Sequence, residues 1–415
     1  MYRLLIMLMT LLAGVNTDAR ELPTLYITSS ENPFTVEREY WHDGAITMTG
    51  AGEFNIEETD VRLRGRGNST WWQGWNEAIQ KRPLRIRFPE GNGSFFGSEE
   101  HRDWILLANA FDQTVGLRTS FSLNLGRSIS NEFVPSVTFI NLNVNGVDMG
   151  VYQLVDERDI GPGRGTVVID SDPTISEYWI ELDFRSDSFV VNDRIYDLRF
   201  PSGSAATDAH VQYAADFITR VSEAIRSRVW EDIVEIVDMD AMVAFYIIQE
   251  LVRNTDEGVV STFMQIRGQG EERKLFMGNL WDFDLSLGNL GTYDVGAYNP
   301  EGIWAAYADY WFANLMQIPQ FRELVRNRWN EIKDYELIEA IAEVVYIATV
   351  YKNEFERNHE IHDVLGNGWL ISETEEGPIV IQNNLTEIET FLGHVEYLLS
   401  FIIRRAEWLD MYFNS

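Results

Sequence analysis

Cysteine is missing from all 415 residues, so neither disulfides nor thiolate chemistry contributes, and stability has to come from a buried core. Basic residues are scarce as well. Against 65 Asp and Glu stand 33 Lys and Arg, a net charge of −32, which disfavours nucleic acid and anionic membrane surfaces as partners and favours cationic ones. The same excess also suits solubility in a saline exterior. After the first 19 residues no stretch approaches the ~18 uninterrupted apolar residues of a membrane span, so no integral membrane segment is expected in the mature chain. Histidine is rare, and the pair in His359-Glu-Ile-His362 lacks the four-residue spacing of a zinc protease. Internal repeats and low-complexity linkers are absent.

A hydrophobic share of 45% with 13% aromatics argues for a compact body with a large core. Residues 1–19 open with Arg3, run through Leu4 to Val15 almost without a polar side chain, and end in Thr17-Asp18-Ala19. This is the pattern of a secretory signal cleaved near Ala19, which predicts a secreted, periplasmic or cell-surface protein. A monomer is expected.

The pattern along the chain predicts an α+β protein, with a β-rich part over 20–206 and a mainly helical part over 207–415. Leu22 to Thr28, Val61 to Arg64, Lys81 to Phe88 and Asp103 to Leu107 read as strands. In the third of these Leu84, Ile86 and Phe88 face inward, Arg85 and Arg87 outward. Asp112 to Arg127 suits a packed helix. Val137 to Val144 and Met149 to Val155 flank Asn145-Gly146, a strong hairpin signal, and the second arm delivers Asp156-Glu157. Val167 to Ile169 and Trp179 to Leu182 read as further strands. From Asp208 the apolar positions recur at helical spacing up to Asn254, and Ile388 to Tyr412 closes the chain with a stripe of Leu392, Val395, Leu399 and Ile402.

Two stretches suggest chemistry. Gly278-Asn-Leu-Trp-Asp-Phe-Asp-Leu-Ser-Leu-Gly288 sets Asp282 and Asp284 two apart in an apolar run; on the second arm of a hairpin both carboxylates would leave one face, with Trp281 and Phe283 on the other. Carboxylates in such a setting cost several kcal/mol unless a cation or donors answer them. That leaves a solvated strand face or a divalent-metal site of hard oxygen ligands as alternatives. Arg64-Gly-Arg-Gly-Asn-Ser-Thr-Trp71 combines two glycines, small donors and two cations, either a tight turn or a cradle for an anion.

These two stretches, together with Lys81-Arg-Pro, Asn145-Gly-Val-Asp-Met-Gly-Val-Tyr-Gln-Leu-Val-Asp-Glu157 and Asn254-Thr-Asp256, occur in the order and spacing of one family. The chain resembles the CotH family, named for spore coat protein H, whose members have an atypical protein-kinase-like fold. The resemblance implies ATP and Mg2+ as cofactors, with Lys81 as the nucleotide-phosphate lysine and Glu157 as its partner. Asp256 is implied as the catalytic-loop carboxylate, with Asn254 beside it, and Asp282 as the metal-binding aspartate. Asp284 stands where the kinase Asp-Phe-Gly motif has glycine, and it is a second expected ligand along with Asn254. The ordinary kinase glycine-rich loop is absent; Arg64, Arg66 and Asn68, with Trp281, are expected near the nucleotide instead. The implied function is an exported kinase acting on Ser or Thr of a secreted or surface protein, possessing flexible Ser- and Lys-rich tails as acceptors. The rival is a non-catalytic surface or adhesion protein that keeps the scaffold.

Overall fold

The computed structural model describes residues 19–30, 38–73, 81–289, 296–362, 364–365, 369–374, 377–381 and 385–415. The expected export signal, apart from Ala19, lies outside the described residues. Seven strands close into a barrel: Thr24–Ser29 (β1), His42–Thr49 (β2), Ile56–Gly65 (β3), Leu84–Arg87 (β4), Asp103–Leu107 (β5), Val137–Val144 (β6) and Val147–Asp156 (β7). Their order is β1-β2-β3-β4-β5-β7-β6, and the parallel pairing of β1 with β6, Thr24 opposite Asn141, shuts the ring. Alternate residues point inward, so Leu25, Ile46, Leu63, Ile86, Leu106 and Leu154 fill a core of the barrel's own. Arg85 and Arg87, between the inward residues of β4, lie on the outside, half-buried. The Asn145-Gly146 turn joins β6 to β7, with φ positive at both residues as a primed hairpin turn requires.

A second, antiparallel sheet contains Tyr178–Leu182 (β8), Phe189–Val191 (β9), Arg194–Phe200 (β10), Thr262–Arg267 (β11) and Lys274–Met277 (β12), in the order β12-β11-β8-β10-β9. It takes strands from both sides of residue 207. Trp369–Thr374 (β13) and Gly377–Ile381 (β14) form a two-stranded ribbon. The helices are Ser69–Gln73 (α1), Leu117–Ile129 (α2), Asp208–Ser227 (α3), Trp230–Ile236 (α4), Met239–Val252 (α5), Ala305–Ala308 (α6), Tyr310–Leu315 (α7), Pro319–Ile332 (α8), Glu336–Val350 (α9), Lys352–Ile361 (α10) and Phe391–Phe413 (α11).

Helix α5 is buried on every side from Ala241 to Val252, because its sequence is apolar all round; it is the axis of the helical part. Asp238 caps its start, accepting from the Ala241 N–H at 2.9 Å. Helix α11 crosses it with Val395, Leu399 and Ile402 buried and fixes it by an ion pair at 2.5 Å between Arg405 and Glu250, both fully buried. Ile105, Val155, Trp179, Phe263 and Trp281 form a small apolar joint between barrel and second sheet. Among the described residues no helix is long and apolar enough to cross a membrane.

Three local expectations differ from the structure. The helix expected from Asp112 starts only at Leu117, because Asp112 organises a buried turn: one oxygen accepts from Thr114 N–H (2.9 Å), Thr114 Oγ1 (2.7 Å) and Arg118 (2.5 Å), the other from Gly116 N–H (3.2 Å). Val167 to Ile169 is no strand, and Val168 and Ile169 are exposed. Finally, β12 ends at Met277, so Asp282 and Asp284 lie beyond the hairpin rather than on its second arm.

Candidate active site

A cleft of about 510 Å3 opens beside the joint between barrel and second sheet, and its floor comes from two turns. The first follows α5. Arg253 ends that helix in the left-handed region (φ 50°) and its guanidinium reaches Glu301 O at 2.5 Å, while Asn254 O accepts from Trp304 Nε1 at 2.7 Å. Asn254 Oδ1 then accepts from the Asp256 N–H at 3.1 Å, and Asp256 O accepts from the Val259 and Val260 N–H groups. Asp256 is thereby held by a short polar turn at the end of the most buried helix.

The second turn is 278–289. Trp281 and Phe283 are buried and Asp282 sits at φ 66°, so the chain is not extended, yet Asp282 and Asp284 both line the cleft. Leu287 N–H donates to Val252 O at 2.7 Å and ties this turn to the end of α5. Asn289 Nδ2 bridges Asp284 O (2.6 Å) and Phe111 O (2.8 Å). Across the cleft, Ser261 Oγ donates to Asp282 Oδ2 at 3.0 Å.

Asp256, Asp282 and Asp284 therefore share one cleft, whose wall also carries Glu181 and Asp183. Burial first, and the charge of Asp282 second, push the Asp256 carboxyl up to about 8; Arg185 opposes them. Burial and then Asp282 and Asp256 push Asp284 well above the ordinary carboxylate range. Burial and mutual repulsion thus outweigh the nearby arginines at these carboxyls. Among the described residues no group of three or more His, Asp or Glu side chains is already arranged as a metal site. Mg2+ characteristically takes only one or two carboxylates and completes its shell from water and phosphate oxygens, so the donor set of Asp282 and Asp284 fits that ion.

Of the other expected residues, Arg66, Asn68 and Trp281 line the cleft, whereas Lys81, Glu157, Arg64 and Asn254 do not. Lys81 is buried away from it: Nζ donates to Val151 O at 2.5 Å and to Asn358 Oδ1 at 2.9 Å, and lies 5.0 Å from the Tyr152 ring centre. Burial pulls its ammonium down to about 7, with Asp112 the main opposing charge. The expected Lys81–Glu157 pair is thus not formed. Glu157 instead faces Arg85 Nε at 3.2 Å; burial alone would raise its carboxyl, but Arg85, Arg158 and Arg66 hold it below its ordinary value. Arg85 also bonds Asp103 at 3.0 Å, so the outward side of β4 supplies the cation that the sequence reading sought one turn earlier. Arg64 stacks on Trp41 at 4.8 Å. Asn254 supports Asp256 rather than facing the cleft.

Sequence reading missed Arg158, Glu181, Asp183, Arg185 and Arg199, all of which line the cleft. The available signal was Glu181, a lone charge inside the apolar strand Trp179 to Leu182; buried acids need partners, and Arg158 at 4.0 Å and Arg199 at 3.5 Å supply them.

A family model described as CotH kinase protein matches residues 62–409. The chain belongs to the CotH kinase family. The matched span includes α5, both turns of the cleft and nearly all of α11, so the family likeness covers the site and its supports. A search of curated proteins returned no match. In this CotH-family chain the α+β class is as expected, while the closed barrel was not foreseen.

Proposed function

We propose that this CotH-family protein is an exported kinase of kinase-like fold, which transfers a phosphoryl group from Mg·ATP to Ser or Thr hydroxyls of a secreted or surface protein. The observation that carries the reading is the meeting of Asp256, Asp282 and Asp284 in one cleft with arginines on its wall. Phosphoryl transfer asks a protein for positioning and charge neutralisation, which is what this set of side chains offers. Asp282 and Asp284 would hold Mg2+, whose chemistry is to neutralise charge on the phosphate oxygens. Asp256, fixed by Asn254, would accept the hydroxyl proton. Glu157 would act indirectly, keeping Arg85 and its neighbouring arginines in place. Lys81 has no part in this scheme, since its ammonium is spent on Val151 and Asn358.

Withdrawal of Lys81 from the cleft favours the second reading, a surface protein that keeps the scaffold without catalysis. Transfer from γ-labelled ATP separates the two. With Mg2+, the full chain should label a Ser/Lys-rich peptide, prefer it to a Ser/Glu-rich one of equal length, and lose that preference as salt rises, because the net charge of −32 steers basic chains. Asp256→Asn should abolish labelling. Absence of label on any acceptor, with ATP bound or not, would sink the kinase reading.

A further inference from the structure

Arg158 leaves β7 beside Glu157 and enters the cleft against two aromatic rings, its guanidinium carbon 4.3 Å from the centre of Trp281 and 4.7 Å from that of Phe263. Arg66, from the loop after β3, lies over Trp281 as well, at 5.5 Å. A guanidinium held by its faces keeps its N–H edge free for in-plane acceptors, which suits forked contacts to phosphate oxygens.

The four arginines lining the cleft are not equivalent. Arg185 is committed to Asp183 through bonds of 2.7 and 3.0 Å, and Arg199 to Asp197 at 3.0 Å. Among the described residues the one acid within ion-pair distance of Arg158 is Glu181, at 4.0 Å, the outer edge of an ion pair, and its buried Nε makes no hydrogen bond. Arg66 forms no ion pair within 4.0 Å among the described residues. Both cations thus lie against aromatic rings without a close ion pair to consume their charge. Burial, against the pull of Glu181 and Glu157, brings Arg158 down to about 10, which still leaves it charged at neutral pH.

We infer that Arg158 and Arg66, seated on Trp281, form the cationic seat for the polyphosphate tail of the nucleotide, a task that Lys81 is too deeply buried to perform. This rests on the kinase reading. Trp281 directly precedes Asp282, so one turn fixes the anion seat and the metal-binding carboxylate at a set separation. A cleft with Asp256, Asp282 and Asp284 alone would repel a polyphosphate; the two arginines supply the compensating charge on the same side as the aromatic joint.

The test is calorimetric titration of the full chain with Mg·ATP, Mg·tripolyphosphate and adenosine, using Arg158→Met, Arg66→Met and Arg158→Lys. Loss of one charge-assisted contact should weaken ATP and tripolyphosphate by ~10- to 100-fold in either methionine variant and leave adenosine unaffected. Arg158→Lys should fall between, since it keeps the charge and loses the fork. Thermal melts check folding, and Arg66, on a half-buried loop, remains informative if Arg158→Met does not fold. Wild-type ATP affinity in both methionine variants overturns the seat and leaves the kinase reading standing. If the wild-type chain binds no nucleotide, the kinase reading fails, and tripolyphosphate then decides the seat: binding that the substitutions weaken supports it, and absence of binding overturns it.

Discussion

Lys81 should leave a signature in the pH dependence of stability. Its ammonium is shut between Val151 O, Asn358 Oδ1 and the Tyr152 ring, with Asp112, Arg357 and His359 as the charged or titratable neighbours, and its pKa falls from 10.5 to about 7. Between those two values the unfolded chain binds a proton that the folded chain has released. Stability contributed by this group therefore rises with pH across that window, and the burial penalty is complete below about 7. Integrating from pH 7 to pH 9.5 gives a gain of roughly 3 kcal/mol at 1.36 kcal/mol per unit, an upper figure because water and relaxation soften such shifts. Lys81→Met should lack the gain. Denaturant unfolding of both proteins at several pH values isolates it, since groups far from Lys81, Asp256 included, cancel in the difference. Parallel pH profiles for the two proteins would refute a neutralised, buried Lys81.

At Asp282 activity and stability should part. Asp282→Asn is expected to cut phosphoryl transfer at least ~100-fold through loss of a metal carboxylate, yet to raise the melting temperature of the metal-free chain, because Asp282 is the chief charge opposing ionisation of Asp256 and Asp284. A metal-free variant that melts lower than wild type contradicts the repulsion. Glu250→Ala should cost ~3–5 kcal/mol in denaturant unfolding, since it leaves Arg405 charged in the core with backbone carbonyls of residues 250, 300 and 302 but no counter-charge; a loss under ~1 kcal/mol would mean that those carbonyls suffice.

Strand periodicity made part of the β-rich half legible, though His42–Thr49, Phe189–Val191 and Arg194–Phe200 were not foreseen as strands. Alternation in Leu84 to Phe88 and the Asn145-Gly146 turn both follow from local sterics, and both are found in the structure. Closure of the barrel was not legible, for it depends on the long-range parallel pairing of β1 with β6, which no local pattern encodes. Asp282 and Asp284 share the cleft as expected but by another route. A strand would have put them on the face opposite the aromatics, whereas the turn, with positive φ at Asp282, brings Trp281 and Phe283 to the same cleft. The role that the resemblance implied for Lys81 depends on contacts no local pattern shows; the carbonyl and amide that hold its ammonium come from β7 and α10, 70 and 277 residues away along the chain. Glu157 then had to find its cation among the arginines beside it.

On the proposed reading, the charge of the chain divides into two ranges. The overall −32 acts at a distance, attracting basic acceptors and repelling a nucleotide polyanion. At an ionic strength of 0.15 M that field is cut off within ~8 Å of the surface. Inside the cleft the balance is set by immediate neighbours, and among the described residues Arg66 and Arg158 have no close acid partner while Asp282 and Asp284 form no ion pair. Mg·ATP carries both missing signs in one ligand: metal for the aspartates and phosphate for the arginines. A free cation would answer only the aspartates and a free polyphosphate only the arginines, so the cleft is electrostatically completed by the complex of the two, and the acidic surface is left to select what accepts the phosphoryl group.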